Sequence, residues 1–215
     1  MIIIGARGFA KEVLEVLHQL NQTDNVAFYD DVNSDVPEKL YNQFPVLTSL
    51  SQAEAFFKST DNKFTIGIGN PILRKQIFDK FSALGGQYSA TISPKASIGN
   101  FNTSIGKGCN IMTGAVITND IVVKDGALIN LNCTIGHDSV IGQFVEMSPG
   151  VHISGNCTIG DYSILGTNAT MLPRITIGKN VTIGAGSVIT KDIPDNCVAV
   201  GVPAKIVKEL PPLNF

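Results

Sequence analysis

From position 105 to position 189 every sixth residue is aliphatic, fifteen in succession: Ile105, Ile111, Ile117, Val123, Ile129, Ile135, Ile141, Met147, Ile153, Ile159, Leu165, Met171, Ile177, Ile183 and Ile189. Four residues after each stands a small or β-branched residue, as in Cys109, Ala115, Cys133, Ser139, Val145 and Val151. Glycine commonly follows the aliphatic. An α-helix cannot use this pattern. Six residues turn a helix by about 600°, so the aliphatic positions would spiral around its surface, and glycine at this density disfavours helix. In extended chain, positions i, i+4 and i+6 share a side. Short strands joined by tight turns then point every aliphatic inward. Three hexads close one triangular coil, and stacked coils pair as parallel strands ~4.8 Å apart, each burying the face of the last. Ile92 and Ile98 carry the series upstream after a slip of one residue, which marks a small turn insertion at Gly99–Ser104.

Residues 1 to about 88 show no hexad and form a different unit. "MIIIGARG" reads as a buried strand and a glycine turn, and "FAKEVLEVLHQL" as an amphipathic helix. "VAFYDD" is a second strand, "AEAFFK" a short helix and "KFTIGIGN" a third strand. "PILRKQIFDKFSALGG" has proline near a helix start and glycines at its end. This alternation predicts a small, half-size parallel sheet with its ligand at the carboxyl ends of the strands. Three features fall at those ends: Gly5, Arg7, Gly8 and Phe9 in the first turn; Asp30 and Asp31; Gly69 and Asn70. The first turn is a loose relative of the dinucleotide fingerprint, one glycine short. A mononucleotide portion of a substrate would fit there. The alternative is that the glycines allow close packing and the acids are solvated. The expected division is residues 1–88 and residues 89–215.

Net charge of −2 and 16% charged residues leave no basic block for nucleic acid, and no apolar run reaches membrane-spanning length. The opening "MIIIGARGFAKEV" lacks the order of a signal peptide, so a cytoplasmic location is expected. Cys109, Cys133 and Cys157 recur at hexad register without a CxxC pair, which favours small buried side chains over metal ligands.

A nucleotide-binding-like unit followed by this repeat resembles the hexapeptide-repeat sugar acetyltransferases: the sialic-acid O-acetyltransferases and the N-acetyltransferases of nucleotide-linked 4-amino-6-deoxy sugars. The markers are "IIIGARGFAKEV", "FYDD", "IGIGN", "TIGHDSVIGQF", "LGTNATMLP" and "GVPAKIV", which span almost the whole chain. The resemblance implies a small α/β half-Rossmann-like sheet followed by a left-handed parallel β-helix. It implies acetyl-CoA as co-substrate, a nucleotide-sugar acceptor, no metal, and a homotrimer with coenzyme in the grooves between copies. It places the general base on His137 and a supporting acid on Asp138. Imidazole suits proton removal near neutral pH, and a carboxylate on its other nitrogen fixes the tautomer and strengthens the base. Neighbours on a regular strand point apart, so Asp138 can reach His137 only across a corner.

The family match assigns the coenzyme path to Glu146, Gly155, Gly166, Thr167 and Ala185, with "GVPAK" flanking the adenine end. Gly155 also lies one coil after His137, where a bare N–H could face the thioester oxygen. Two departures stand out. Many relatives carry histidine where this chain has Glu146, and a carboxylate beside a polyanionic donor either faces the acceptor amine or marks a different acceptor. Phe9 stands where sugar-binding relatives can carry a polar ring. His152 precedes an inward aliphatic and is read as facing outward or between copies, and His18 as solvated. The expected reaction is direct acetyl transfer to an amine. O-acetylation of a sugar and non-catalytic sugar-nucleotide binding are the alternatives. A zinc carbonic anhydrase of this repeat class needs three clustered histidines, and the repeat holds two.

Overall fold

The computed structural model describes residues 1–214. β1 (Ile2–Ile4), α1 (Gly8–Gln19), β2 (Ala27–Tyr29), β3 (Lys39–Leu40), β4 (Phe44–Leu47), α2 (Leu50–Ser59), β5 (Lys63–Ile66), α3 (Pro71–Ala83) and β6 (Gln87–Tyr88) form the first unit. Its sheet runs β3-β4-β2-β1-β5-β6, parallel throughout except for β3 against β4. The expected small parallel sheet is present, and short strands added at its edges bring it to 6 strands. The additions are short, and Pro45 sits inside β4, where it removes a ladder donor and weakens a strand pattern. The "AEAFFK" helix also begins earlier, because Ser49 and Gln52 close a capping box ahead of it.

From Thr91 the chain winds into the left-handed β-helix. Strands of two residues alternate among three parallel sheets. The first face carries Asn110–Ile111, Leu128–Ile129, Glu146–Met147, Ile164–Leu165 and Thr182–Ile183. The second carries Val116–Ile117, Thr134–Ile135, His152–Ile153 and Thr170–Met171, and the third Val122–Val123, Val140–Ile141 and Thr158–Ile159. Register is strictly coil on coil, with Ile135 beside Ile117 and Ile153. The aliphatic and small positions fill one continuous core, including Cys109, Cys133 and Cys157 at 1% exposure or less.

Every sixth residue from Asn102 to Gly186 has positive φ, between 50° and 77°. It lies three residues after each aliphatic and turns the chain through the left-handed region at each corner. Asparagine, aspartate and glycine tolerate that conformation best. Phe144 and Tyr162 occupy it too, with their rings stacked 5.8 Å apart and Phe144 5.9 Å from Phe78 of α3. Packing against the first unit thus offsets the local backbone cost.

The two units share a polar and apolar seam along the first face. Phe9, Val16 and Leu20 of the α1 region pack on Met112, Leu128 and Leu131. Asn110 donates to the Ile66 carbonyl at 3.4 Å, and the buried Arg74 donates to the Gly126 carbonyl. The chain ends in a hairpin, Cys197–Val200 with Lys205–Glu209, that caps the last coil. Among the described residues no helix is long and apolar enough to cross a membrane. Ile129 is fully buried between Ile111 and Met147. Ile129→Ala is expected to destabilise the fold by about 2–5 kcal/mol, read as a lowered urea midpoint. An unchanged midpoint would contradict coil-on-coil packing of the core.

Candidate active site

Three predicted residues meet at the corner between the second and third faces. Asp138 takes the left-handed turn there, with φ 58°. That single conformation swings its side chain back, so its Oδ2 lies 2.7 Å from His137 Nδ1. The corner that the pairing required is therefore supplied by the repeat itself. Because a carboxylate only accepts, the neutral ring carries its proton on Nδ1 and presents Nε2 as the acceptor. Ser139, buried beneath the corner, donates to the His137 carbonyl at 3.3 Å and accepts from Cys157 N–H at 3.1 Å. Asn156 N–H donates to the same His137 carbonyl at 2.8 Å. Backbone and buried side chain thus fix the corner while the imidazole stays solvent-accessible.

Gly155 lies directly under the ring. A Cβ there would stand 2.6 Å from Nε2 and 2.7 Å from Cε1. Its N–H has no acceptor among the described residues, so a donor is left free beside the imidazole edge. Asp138→Asn is expected to lower kcat by about a hundredfold with both KM values little changed, because the amide can donate to Nδ1 and favour the wrong tautomer. Steady-state kinetics check this, and an unchanged kcat would mean that Asp138 does not orient the ring.

A second site opens at the carboxyl ends of β1, β2 and β5. It is a cavity of about 430 Å³ whose walls include Gly5, Arg7, Asp30, Asp31, Ile68 and Lys80. No side chain caps the α1 N-terminus, so its first N–H groups point free at this end, an arrangement suited to phosphate. Arg7 pairs with Asp35. Asp30 is buried, and its carboxylate accepts from Val32 N–H, Asn33 N–H and the Asn33 amide. It builds the loop that forms the wall, which departs from the solvated reading. Asp31 accepts from Tyr29 Oη at 2.8 Å and Lys80 Nζ at 3.1 Å. Burial raises its pKa, but those bonds and the lysine charge outweigh it and hold the carboxyl below its ordinary value. Burial and the Asp31 bond push the Tyr29 phenol up, keeping it a donor.

The other predicted residues lie elsewhere. Phe9 packs in the seam between the units and does not line the cavity. Gly8 is also outside its lining. Asn70 caps α3, accepting from Ile72 and Leu73 N–H at 3.0 Å, and Gly69 lies against Glu146. Gly166, Thr167 and Ala185 climb the corner between the first and second faces. Within one chain the whole second face therefore separates them from His137. His152 lies on that face, exposed, with Nδ1 3.0 Å from Thr134 Oγ1, and His18 is exposed on α1.

Sequence reasoning missed Leu73, Gln76, Ile77 and Lys80, one side of α3 that faces the cavity. Their i, i+3, i+4, i+7 spacing was a visible signal, but two apolar residues flanked by a glutamine and a lysine read equally well as the boundary of a core-facing helix. It also missed Arg74, fully buried in the seam.

Residues 1–81 match the family described as the PglD N-terminal domain, and residues 156–191 match the bacterial transferase hexapeptide family of six repeats. The solved structure of PerB from Caulobacter crescentus, in complex with CoA and GDP-perosamine, is 31% identical, with 96% of each chain covered and a TM-score of 0.87. The acetyltransferase domain of PglB from Neisseria gonorrhoeae is 36% identical over 96% of this chain and 98% of its own, with a TM-score of 0.85. WeeI from Acinetobacter baumannii is 31% identical over 96% and 98%, with a TM-score of 0.87. No curated protein matches the chain.

Proposed function

This chain belongs to the hexapeptide-repeat sugar acetyltransferases, and on that premise we propose that it moves the acetyl group of acetyl-CoA directly to the amine of a nucleotide-linked amino-deoxysugar. The nucleotide docks in the cavity at the β1, β2 and β5 ends, with its phosphates toward the open α1 N-terminus. His137 Nε2 takes the amine proton as nitrogen attacks the thioester carbonyl. Gly155 N–H receives the developing oxyanion. The C–S bond then breaks, and the leaving thiolate recovers a proton from the imidazolium. The observation that carries this reading is the 2.7 Å His137–Asp138 pair standing over a bare glycine with a free N–H. The structures of similar chains with bound CoA and GDP-perosamine support the substrate classes.

The working unit in this reading is a homotrimer. His137 and Gly155 occupy one corner, while Gly166, Thr167 and Ala185 occupy another at the far side of the second face. Threefold symmetry about an axis parallel to the coils lays the His137 corner of one copy against the Gly166 corner of the next. Coenzyme then runs in that groove, and the second faces, with His152, line the axis. The acceptor held by one copy meets His137 of its neighbour. Synthesis of a bacterial glycan in the cytoplasm fits these substrates.

A panel of nucleotide amino sugars and their hydroxyl counterparts, incubated with acetyl-CoA and read by thiol release, tests the proposal. Release with an amine acceptor is expected. Release with hydroxyl acceptors alone would replace amide by ester formation, and hydrolysis without any acceptor would end the reading. Sedimentation should give three copies.

A further inference from the structure

Glu146 opens a strand of the first face, beside the corner that carries Gly166 and Thr167 one coil on. Its carboxylate lies flat against Gly69, where a Cβ would stand 3.1 Å from Oε1 and 3.3 Å from Oε2. Gly69 follows directly on Gly67 and Ile68, which wall the nucleotide cavity. The bare glycine thus lets the carboxylate stand against the residue that follows the cavity wall in the chain. Its bonding is far from saturated: Ser148 Oγ donates to Oε1 at 3.5 Å, and no other hydrogen bond reaches it among the described residues. The side chain is half-buried. Arg74 carries its charge nearby with Nη2 on the Gly126 carbonyl, while among the described residues no hydrogen bond reaches its Nε or Nη1. Burial raises the Glu146 pKa, and the Arg74 charge and the Ser148 bond pull against it. Two carboxylate oxygens with one weak donor form a built acceptor site that lacks a donor.

We infer that Glu146 binds the acceptor's amine, and is a specificity-determining residue for amine over hydroxyl acceptors instead of a contact to the coenzyme. The inference rests on the reaction proposed above. A sugar whose diphosphate sits in the cavity leaves it past Gly67 and Ile68 and arrives at Gly69 and Glu146. An aliphatic amine near neutral pH arrives largely as ammonium, with three donors and a positive charge, and releases one proton to solvent before its lone pair can attack. A carboxylate matches both, through charge-assisted hydrogen bonds. The donor side offers no such match, since its diphosphate and thioester present acceptors and negative charge to a group that can only accept. A hydroxyl acceptor brings one donor and no charge, so the same carboxylate discriminates against it.

Glu146→Gln keeps the shape and removes the charge. Compared with the wild-type chain, it is expected to raise KM for the amine acceptor by about tenfold or more. KM for acetyl-CoA and the affinity for the bare nucleoside diphosphate should stay within about twofold, and calorimetric preference for the amino sugar over its hydroxyl counterpart should disappear. A raised KM for acetyl-CoA with the amine preference intact would overturn the inference in favour of a donor-side role. Unchanged kinetics would overturn it outright. So would weakened binding of the bare nucleoside diphosphate, which would report a disturbed seam. If the wild-type chain acetylates no member of the panel, the proposed reaction fails separately, and the calorimetric comparison alone then decides Glu146. Amine preference lost in the variant sustains the inference, and preference absent from the wild type or retained in the variant rejects it.

Discussion

Replacing His137 by alanine is expected to lower turnover by about 10³-fold while leaving the oligomeric state and the denaturation midpoint close to wild type. The side chain is 64% exposed and, among the described residues, its one side-chain hydrogen-bond partner is Asp138, so little packing is lost. The corner itself is held by Ser139, Asn156 and the coil ladder, none of which needs the imidazole. On the proposed mechanism, what disappears is the acceptor for the proton that nitrogen must shed as it attacks a thioester. Single-turnover thiol release isolates that step, and sedimentation verifies assembly. A variant that keeps turnover within a few-fold of wild type would remove His137 from the mechanism, leaving the fold and the family untouched.

Gly155→Ala is also expected to lower turnover strongly, through a residue that carries no reactive group. The added methyl would fall 2.6 Å from His137 Nε2, 2.7 Å from Cε1 and 3.1 Å from Cδ2. All three are ring atoms, so the ring yields while the backbone stays. Swinging the imidazole by an ångström or more should lower kcat by about a hundredfold, with KM for the acceptor nearly unchanged. The two substitutions act on one feature, so they should not add. In the His137→Ala background, Gly155→Ala should change little, because the clashing ring is gone. A full additional loss in the double variant would show that the methyl acts on something other than the ring, by crowding the thioester carbonyl beside the Gly155 N–H.

The hexad was legible because it is a local rule repeated many times. One inward aliphatic per side predicts each strand, and the fifteen matches left no rival periodicity. The first unit was less legible. β1, α1, β2 and α3 carry strong patterns, but β4 contains a proline and β6 spans two residues, so their place in the sheet comes from neighbours distant in sequence. The structural part of Asp30 was hidden for a related reason. An exposed-looking acid after a strand is ordinarily solvated, and only the loop's return through Val32 and Asn33 makes it a buried turn-builder. Phe9 was placed at the nucleotide because it neighbours the glycine turn. The helix that begins there rotates it into the seam with Met112 and Leu128.

The sequence by itself determined the coil, the inward register and the separation of His137 from Gly155 by one full turn of the triangle. These follow from side-chain alternation and from burial of one residue in six, which act over a few residues at a time. The tertiary structure decided which distant groups meet. It bent Asp138 onto His137 through a left-handed corner, pressed the first unit onto one face of three, and thereby set Glu146 against Gly69 while leaving His137 on the opposite corner. Those placements depend on which surfaces pack, and packing is settled by complementarity between segments far apart in the chain, which no local pattern encodes.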